Sequence, residues 1–266
     1  SVEQLLPYTA YDFIVKETVP FVAKELLQPH FDKTIANVET VNVELALSIV
    51  RRFTDFLFWV VFEDGERVLV HVEVQLADSY EIPRRMAEYA VGCKHKFDVF
   101  PLQFLYLIRG GAERYAEGGG WVTQAQRRVM FSAFRAENLA DVDARALAKG
   151  PRGLALAMFC GGNLTYDEVV ERIESLGPNV ADLDRLQIYL AAQLLSKDGR
   201  INHDQLANII EHLNPVHMHL QDLVRQDPLF KPLFDSAFND GEKRGEKKGF
   251  EKGEFSGMQK NRRMML

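Results

Sequence analysis

The chain has 266 residues, 47% of them hydrophobic and 11% aromatic, enough to bury a full core and to fill one or two domains. Its formal net charge of −6 excludes a protein whose whole surface is a nucleic-acid footprint, so any DNA contact must rest on local basic patches or on a bound cation. The two cysteines, Cys93 and Cys160, lie far apart and fit no CxxC or metal-ligand spacing, which excludes a disulfide framework and a zinc ribbon.

The first 50 residues predict mainly helix. After Tyr11-Asp12, the residues Phe13, Val15, Val19, Val22, Leu26 and Leu27 recur at roughly helical spacing, with Pro20 as a kink or break, and a second apolar run covers 38–50. The period then changes to two. FTDFLFWVVF (53–62) is aromatic and β-branched, Glu63-Asp64-Gly65-Glu66 is a turn signal, and RVLVHVEVQ (67–75) alternates strictly, so the pair predicts a hairpin. IPRRMAEYAVGCKHKF predicts a helix with Pro83 in its first turn. PLQFLYLIRGG reads as a buried strand, followed by a glycine-rich loop (117–120) and a further strand, RRVMFSAFRA.

From about Asp141 the pattern turns helical. Four candidates, ARALAKGPRGLALAMF, TYDEVVERIESL, LDRLQIYLAAQLLS and HDQLANIIEHL, are separated by Gly, Pro or Asn. After Phe238 glycine recurs every four residues in a charged tail. Three parts are therefore expected: an α/β domain over 1–140, a helical module over 141–238 and a flexible tail over 239–266.

The hairpin raises a chemical question. Val68, Val70, Val72 and Val74 form one face of its second strand, while Leu69, His71, Glu73 and Gln75 form the other. From spacing alone, Glu73 and Gln75 either face water, as on any half-exposed sheet, or belong to a site with Asp55 of the first strand. The register decides whether the second is possible. A two-residue Asp64-Gly65 loop pairs positions summing to 129 and turns Asp55 away from Glu73. A three-residue loop with Gly65 left-handed makes the sum 128 and sets Asp55 across from Glu73. Two carboxylates at that distance repel unless a cation or shared proton intervenes, and Mg²⁺ or Mn²⁺ suits oxygen ligands. Such an ion activates water and stabilises charge on a phosphate under attack. The Val74 carbonyl is a further candidate ligand, and Gln75 could orient the water or the phosphate.

The segment RRFTDFLFWVVFEDGERVLVHVEVQ, with PRRMAEY and PLQFLYLI after it, resembles the Rpn/YhgA-like family of transposase-like, recombination-promoting nucleases, within the PD-(D/E)xK superfamily. The opening YDFIVKE and the glycine-punctuated tail are also similar to that family, and the similarity covers roughly residues 8 to 135. The family's pattern is an aspartate on one strand and a glutamate on the next, with glutamine often replacing the superfamily's lysine; here these positions are Asp55, Glu73 and Gln75.

The resemblance implies an α/β fold with a restriction-endonuclease-like αβββαβ core and a Mg²⁺- or Mn²⁺-dependent DNA endonuclease. Asp55 and Glu73 would hold the metal with the Val74 carbonyl, and Gln75 would position the reacting groups. An acid from the first helix often joins such sites, which makes Asp12, Glu17 and Glu25 candidates. Asp12 reads equally as a helix N-cap. Arg51, Arg52, Arg84, Arg85, Lys94 and Lys96 either hold DNA phosphates or form solvated faces. His71 reads as a hydrogen-bonded core or rim histidine rather than a base. The alternative is an inactive nuclease-fold scaffold that binds DNA or protein. A homodimer would suit cleavage of both strands, and no organic cofactor is expected.

Other motifs fail. SKDGRI lacks the first and last ligands of a calcium loop, His212, His217 and His219 lack carboxylate or cysteine companions, and GAERYAEGGG has no phosphate-loop lysine. Cys160-Gly161-Gly162 reads as the end of a helix rather than as the seat of a nucleophile. No basic stretch leads into an apolar one at the start, and no run of about 18 apolar residues occurs, so a cytoplasmic protein without a membrane span is expected.

Overall fold

The structure, a computed structural model, describes residues 2–41, 44–47, 50–53, 56–124, 126–161, 164–176, 180 and 182–213. One compact unit covers Ala10–Asn214. The fold is mixed α/β. Among the described residues no helix is long and apolar enough to cross a membrane.

Helix α1 (Val2–Leu27) buries Tyr11, Ile14, Val15, Thr18, Val19, Val22, Ala23, Leu26 and Leu27, an unbroken i, i+3, i+4 stripe. Pro20 lies inside it. The carbonyl whose partner Pro20 removes belongs to exposed Lys16, so the lost bond falls on the wet side of the helix. Because the helix begins at Val2, Asp12 is an interior residue and not an N-cap. Between 35 and 53 the described residues form strands rather than helix: β1 (Ile35–Thr40), β2 (Glu44–Leu47) and β3 (Val50–Phe53). Short runs of apolar residues do not separate the two states, and here strand pairing decides, β1 with β4 and β2 with β3.

The hairpin is β4 (Phe56–Phe62) and β5 (Arg67–Gln75). Helix α2 (Ile82–Phe97) then crosses to β6 (Leu102–Leu107), which lies parallel to β5. The main sheet runs in the order β1-β4-β5-β6-β9, where β9 is Arg135–Asn138, and β6 and β9 are also parallel. Counting main-sheet strands and the two helices, the chain order up to β6 is α-β-β-β-α-β. RRVMFSAFRA, expected as one strand, divides at buried Phe134. Its first part is β8 (Arg127–Ala133), which pairs with β7 (Gly119–Gln124) in a separate two-stranded arm, and its second part is β9.

Beyond β9 lie α3 (Ala144–Leu147), α4 (Pro151–Ala157), α5 (Tyr166–Ser175), α6 (Asp182–Lys197) and α7 (His203–His212). Lys149-Gly150-Pro151 splits the first expected helix in two. Thr165 and Asn202 each begin a helix with a complete capping box. One buried cluster joins the α1 stripe, the face of the sheet carrying Val70, Val72 and Val74, and residues of these later helices such as Leu154, Ile188 and Leu195. The opposite face is covered by α2, through Ile82, Met86, Tyr89 and Cys93 packed on Leu69, Leu105 and Leu107. Both faces of the central strands are therefore dry, as parallel sheets require.

The turn sets the register. Phe62 N–H donates to the Glu66 carbonyl at 2.9 Å, Gly65 N–H donates to the Phe62 carbonyl at 3.0 Å, and Gly65 has φ +86°. This is the three-residue loop, and every described pair from Phe56↔Val72 to Val61↔Arg67 sums to 128. A Cβ on Gly65 would meet nothing within 4 Å, so only its dihedral resists substitution. We expect Gly65→Ala to cost about 1–2 kcal/mol in urea unfolding and Gly65→Asn less, since asparagine tolerates the left-handed region; equal stability of all three would contradict the turn.

Candidate active site

Strand alternation places Leu69, His71, Glu73 and Gln75 on the face beneath α2. Glu73 does not face water: it is 1% exposed. A carboxylate at that depth needs partners, because desolvating it costs several kcal/mol. Its Oε1 receives two. Gln75 Nε2 donates at 2.8 Å from two positions along the same strand, and the Arg85 guanidinium, from the first turn of α2, forms a close ion pair. Pro83 starts that turn, so the α2 entry fixes where Arg85 reaches.

Glu73 Oε2 has no hydrogen-bond partner among the described residues, and neither has His71 Nε2, its neighbour at 3.7 Å. That distance is beyond a hydrogen bond. The orientation of His71 follows from Gln103 on β6. Gln103 Nε2 donates to the Met86 carbonyl at 2.8 Å and lies 3.0 Å from His71 Nδ1. An amide nitrogen held by a carbonyl can only donate to the ring, so Nδ1 offers its lone pair and the ring hydrogen sits on Nε2, toward Glu73. The Tyr89 ring meets the imidazole edge to face at 4.8 Å. His71 in this tautomer is a donor aimed at Glu73, not a metal ligand.

The other candidate residues are distributed as follows. Asp55 lies outside the described residues, as do the side chains of Arg51 and Arg52 on β3. Val74 pairs with Tyr106 of β6 and turns its side chain into the core on the opposite face. Asp12 accepts from Lys16 at 2.8 Å on α1, and Glu17 and Glu25 lie partly exposed on the same helix. That helix covers the valine face, where Tyr106 Oη donates to the Leu26 carbonyl at 3.1 Å, so the sheet stands between these acids and Glu73. Arg84 pairs with Glu81, and with Glu88 at 3.8 Å. Lys94 is held by Asp98, at 2.6 Å to its carboxylate, about 13 Å along α2 from Arg85. Lys96 is exposed. The structure thus gathers Glu73, Gln75, Arg85 and His71.

Among the described residues no group of three or more His, Cys, Asp or Glu side chains converges for a metal. The free oxygen of Glu73 fits one ligand of a hard cation. Cys160, held against the Leu156 carbonyl, has its thiol pushed up to about 12 by burial and is no nucleophile. His212 pairs with Glu174 at 3.1 Å, and His217 and His219 lie outside the described residues.

Sequence reasoning did not find the Gln103–His71 link or the Arg85–Glu73 pair. A polar Gln103 within an otherwise apolar strand was the available signal for the first. It also did not find a cleft of about 670 Å³ at the carboxyl ends of β6 and β9, lined by Tyr11, Arg109, Asn138, Asp198 and Arg200. There Asp198 accepts from Tyr11 Oη and from Arg109, each at 2.7 Å, and burial with the Asp198 contact pushes the Tyr11 phenol up to about 12. Searches against protein-family models, curated proteins and solved structures found no match.

Arg85→Met strands a buried charge, so we expect a loss of about 3 kcal/mol in urea unfolding, most of it regained in the Arg85→Met/Glu73→Gln double variant. Additive losses would mean that the pair is not coupled.

Proposed function

We propose that the chain is a divalent-metal-dependent DNA endonuclease of the Rpn/YhgA-like, PD-(D/E)xK type, hydrolysing phosphodiester bonds. The observation that carries this reading is Glu73, a carboxylate 1% exposed whose one free oxygen has no partner among the described residues, on a strand held in the register the site requires. Continued by one residue, that register would set position 55 against position 73. The α-β-β-β-α-β order supports the nuclease core.

In this reading Asp55 and Glu73 hold Mg²⁺ or Mn²⁺, with the Val74 carbonyl as a further ligand. The ion supplies an activated water and charge stabilisation at the phosphate. Gln75 holds Glu73 Oε1, so that Oε2 is the coordinating atom, and Arg85 fixes the carboxylate plane while adding the positive charge that glutamine lacks. Two copies of the chain would place one site on each strand.

One observation favours a second reading, a scaffold that binds DNA or protein without cutting. Arg85 already neutralises Glu73, as a cation would. The test is nicking of supercoiled plasmid with Mg²⁺, Mn²⁺ or EDTA. We expect metal-dependent nicking that falls more than about a hundredfold in Asp55→Ala and in the near-isosteric Glu73→Gln, with both variants still folded. Wild-type protein inert across metals and DNA forms would favour the scaffold.

A further inference from the structure

The β7–β8 arm is built unlike the rest of the unit. It pairs with neither of the other sheets, and a lone two-stranded ribbon is marginal in water. Yet its outer part exposes large apolar side chains on both strands: Trp121 (39%), Val129, Met130 and Phe131 (38%). Trp121 pairs directly with Phe131 across the ladder, the rings 5.3 Å apart and edge to face. An irregularity between Val122 and Thr123 shifts the register so that Arg128 opposes Thr123, on the Trp121 side, and its guanidinium lies 5.3 Å from the Trp121 ring.

Charge distinguishes this arm too. Between Gly119 and Ala133 the only charged residues are Arg127 and Arg128, in a chain of net charge −6. No carboxylate pairs with either among the described residues, whereas Arg84 and Lys94 of α2, the basic residues that the sequence singled out, are tied to Glu81 and Asp98. The arm is also rooted beside the Glu73 site. Gly120 sits so close to Pro83 of α2 that a Cβ there would lie 2.6 Å from its ring, and Pro83 begins the turn that carries Arg85 to Glu73.

We infer that the β7–β8 arm is a grip for single-stranded DNA, with unpaired bases stacking on Trp121 and Phe131 and backbone phosphates on Arg127 and Arg128. Stacking on an aromatic face needs a base free of its partner, and paired arginines beside aromatics supply the phosphate contact. A second copy of the chain fits less well. A two-fold contact through this patch sets each arginine pair close to its like-charged image. The inference shares with the proposed function only its partner, DNA.

Trp59→Phe leaves Trp121 as the sole tryptophan. With EDTA present and no cleavage possible, a thymidine oligonucleotide should quench Trp121 fluorescence. By anisotropy of labelled oligonucleotide, Phe131→Ala and Trp121→Ala should each bind about tenfold more weakly. Each arginine-to-alanine change should lower the slope of log affinity against log salt by about 0.7. Absence of binding, or binding that the arm variants leave unchanged, overturns the inference, as does a wild-type dimer that Phe131→Ala dissociates without altering affinity for the oligonucleotide. A protein that nicks plasmid but binds independently of the arm loses the grip and keeps the nuclease; one that binds through the arm and never nicks does the reverse.

Discussion

Burying the Glu73 carboxylate constrains much of what surrounds it. A charge removed from water must be met by donors at fixed positions, and two reach Glu73 Oε1: Gln75 on the same strand and Arg85 on α2, while His71, oriented by Gln103 of β6, stands 3.7 Å from the other oxygen. Two other elements are tied to β5 in this way, α2 through Arg85 and β6 through the Gln103–His71 contact. The first turn of α2 must bring Arg85 over the sheet, and β6 must lie parallel to β5 so that Gln103 falls beside His71. The amide of Gln103 reaches back to the Met86 carbonyl of α2, which closes a loop of polar contacts through helix and sheet. An apolar residue at 73 would release Arg85, and with it the first turn of α2, from that geometry.

The two faces of the sheet divide structural and chemical work. The valine face joins α1 and the later helices in one dry cluster, with Thr18 and Gln187 linking α1 to α6 at 3.4 Å inside it. The other face carries almost all the buried polar groups of β5 and β6 under a single helix. Rigidity on the first face holds the second in place, since cores at crystal-like density transmit little slack.

Local chemistry made part of this legible in the sequence. The hairpin, its Asp-Gly turn, α2 with its proline start and β6 all follow from period and turn residues within a few positions of one another. The site register was readable as one of two possibilities, and the Phe62 N–H bond to the Glu66 carbonyl, which closes the three-residue loop, is what selects it. Tertiary pairing hid the rest. Strands β1 to β3 lack a decisive period of their own. The alternation of RRVMFSAFRA does not reveal that Phe134 divides it between two sheets. Arg85 reads as one more charge on a basic helix, and only the fold brings it to a carboxylate twelve positions earlier. Asp12 looked like the start of a helix because the residues before it lack a clear pattern.

The loop at Glu63-Asp64-Gly65 has a consequence for how such a chain can change over generations. Glu63 is exposed, so exchanges there cost little, whereas Asp64 accepts from the Glu66 N–H at 3.0 Å and from Lys33 at 2.7 Å. Its count of residues is another matter. Adding or deleting one there while the strands stay paired would rotate β5 by one step, sending Glu73 and His71 into the hydrocarbon interior and the valines under α2. Descendants of this sequence should therefore vary most freely at Glu63 while keeping the length of the turn.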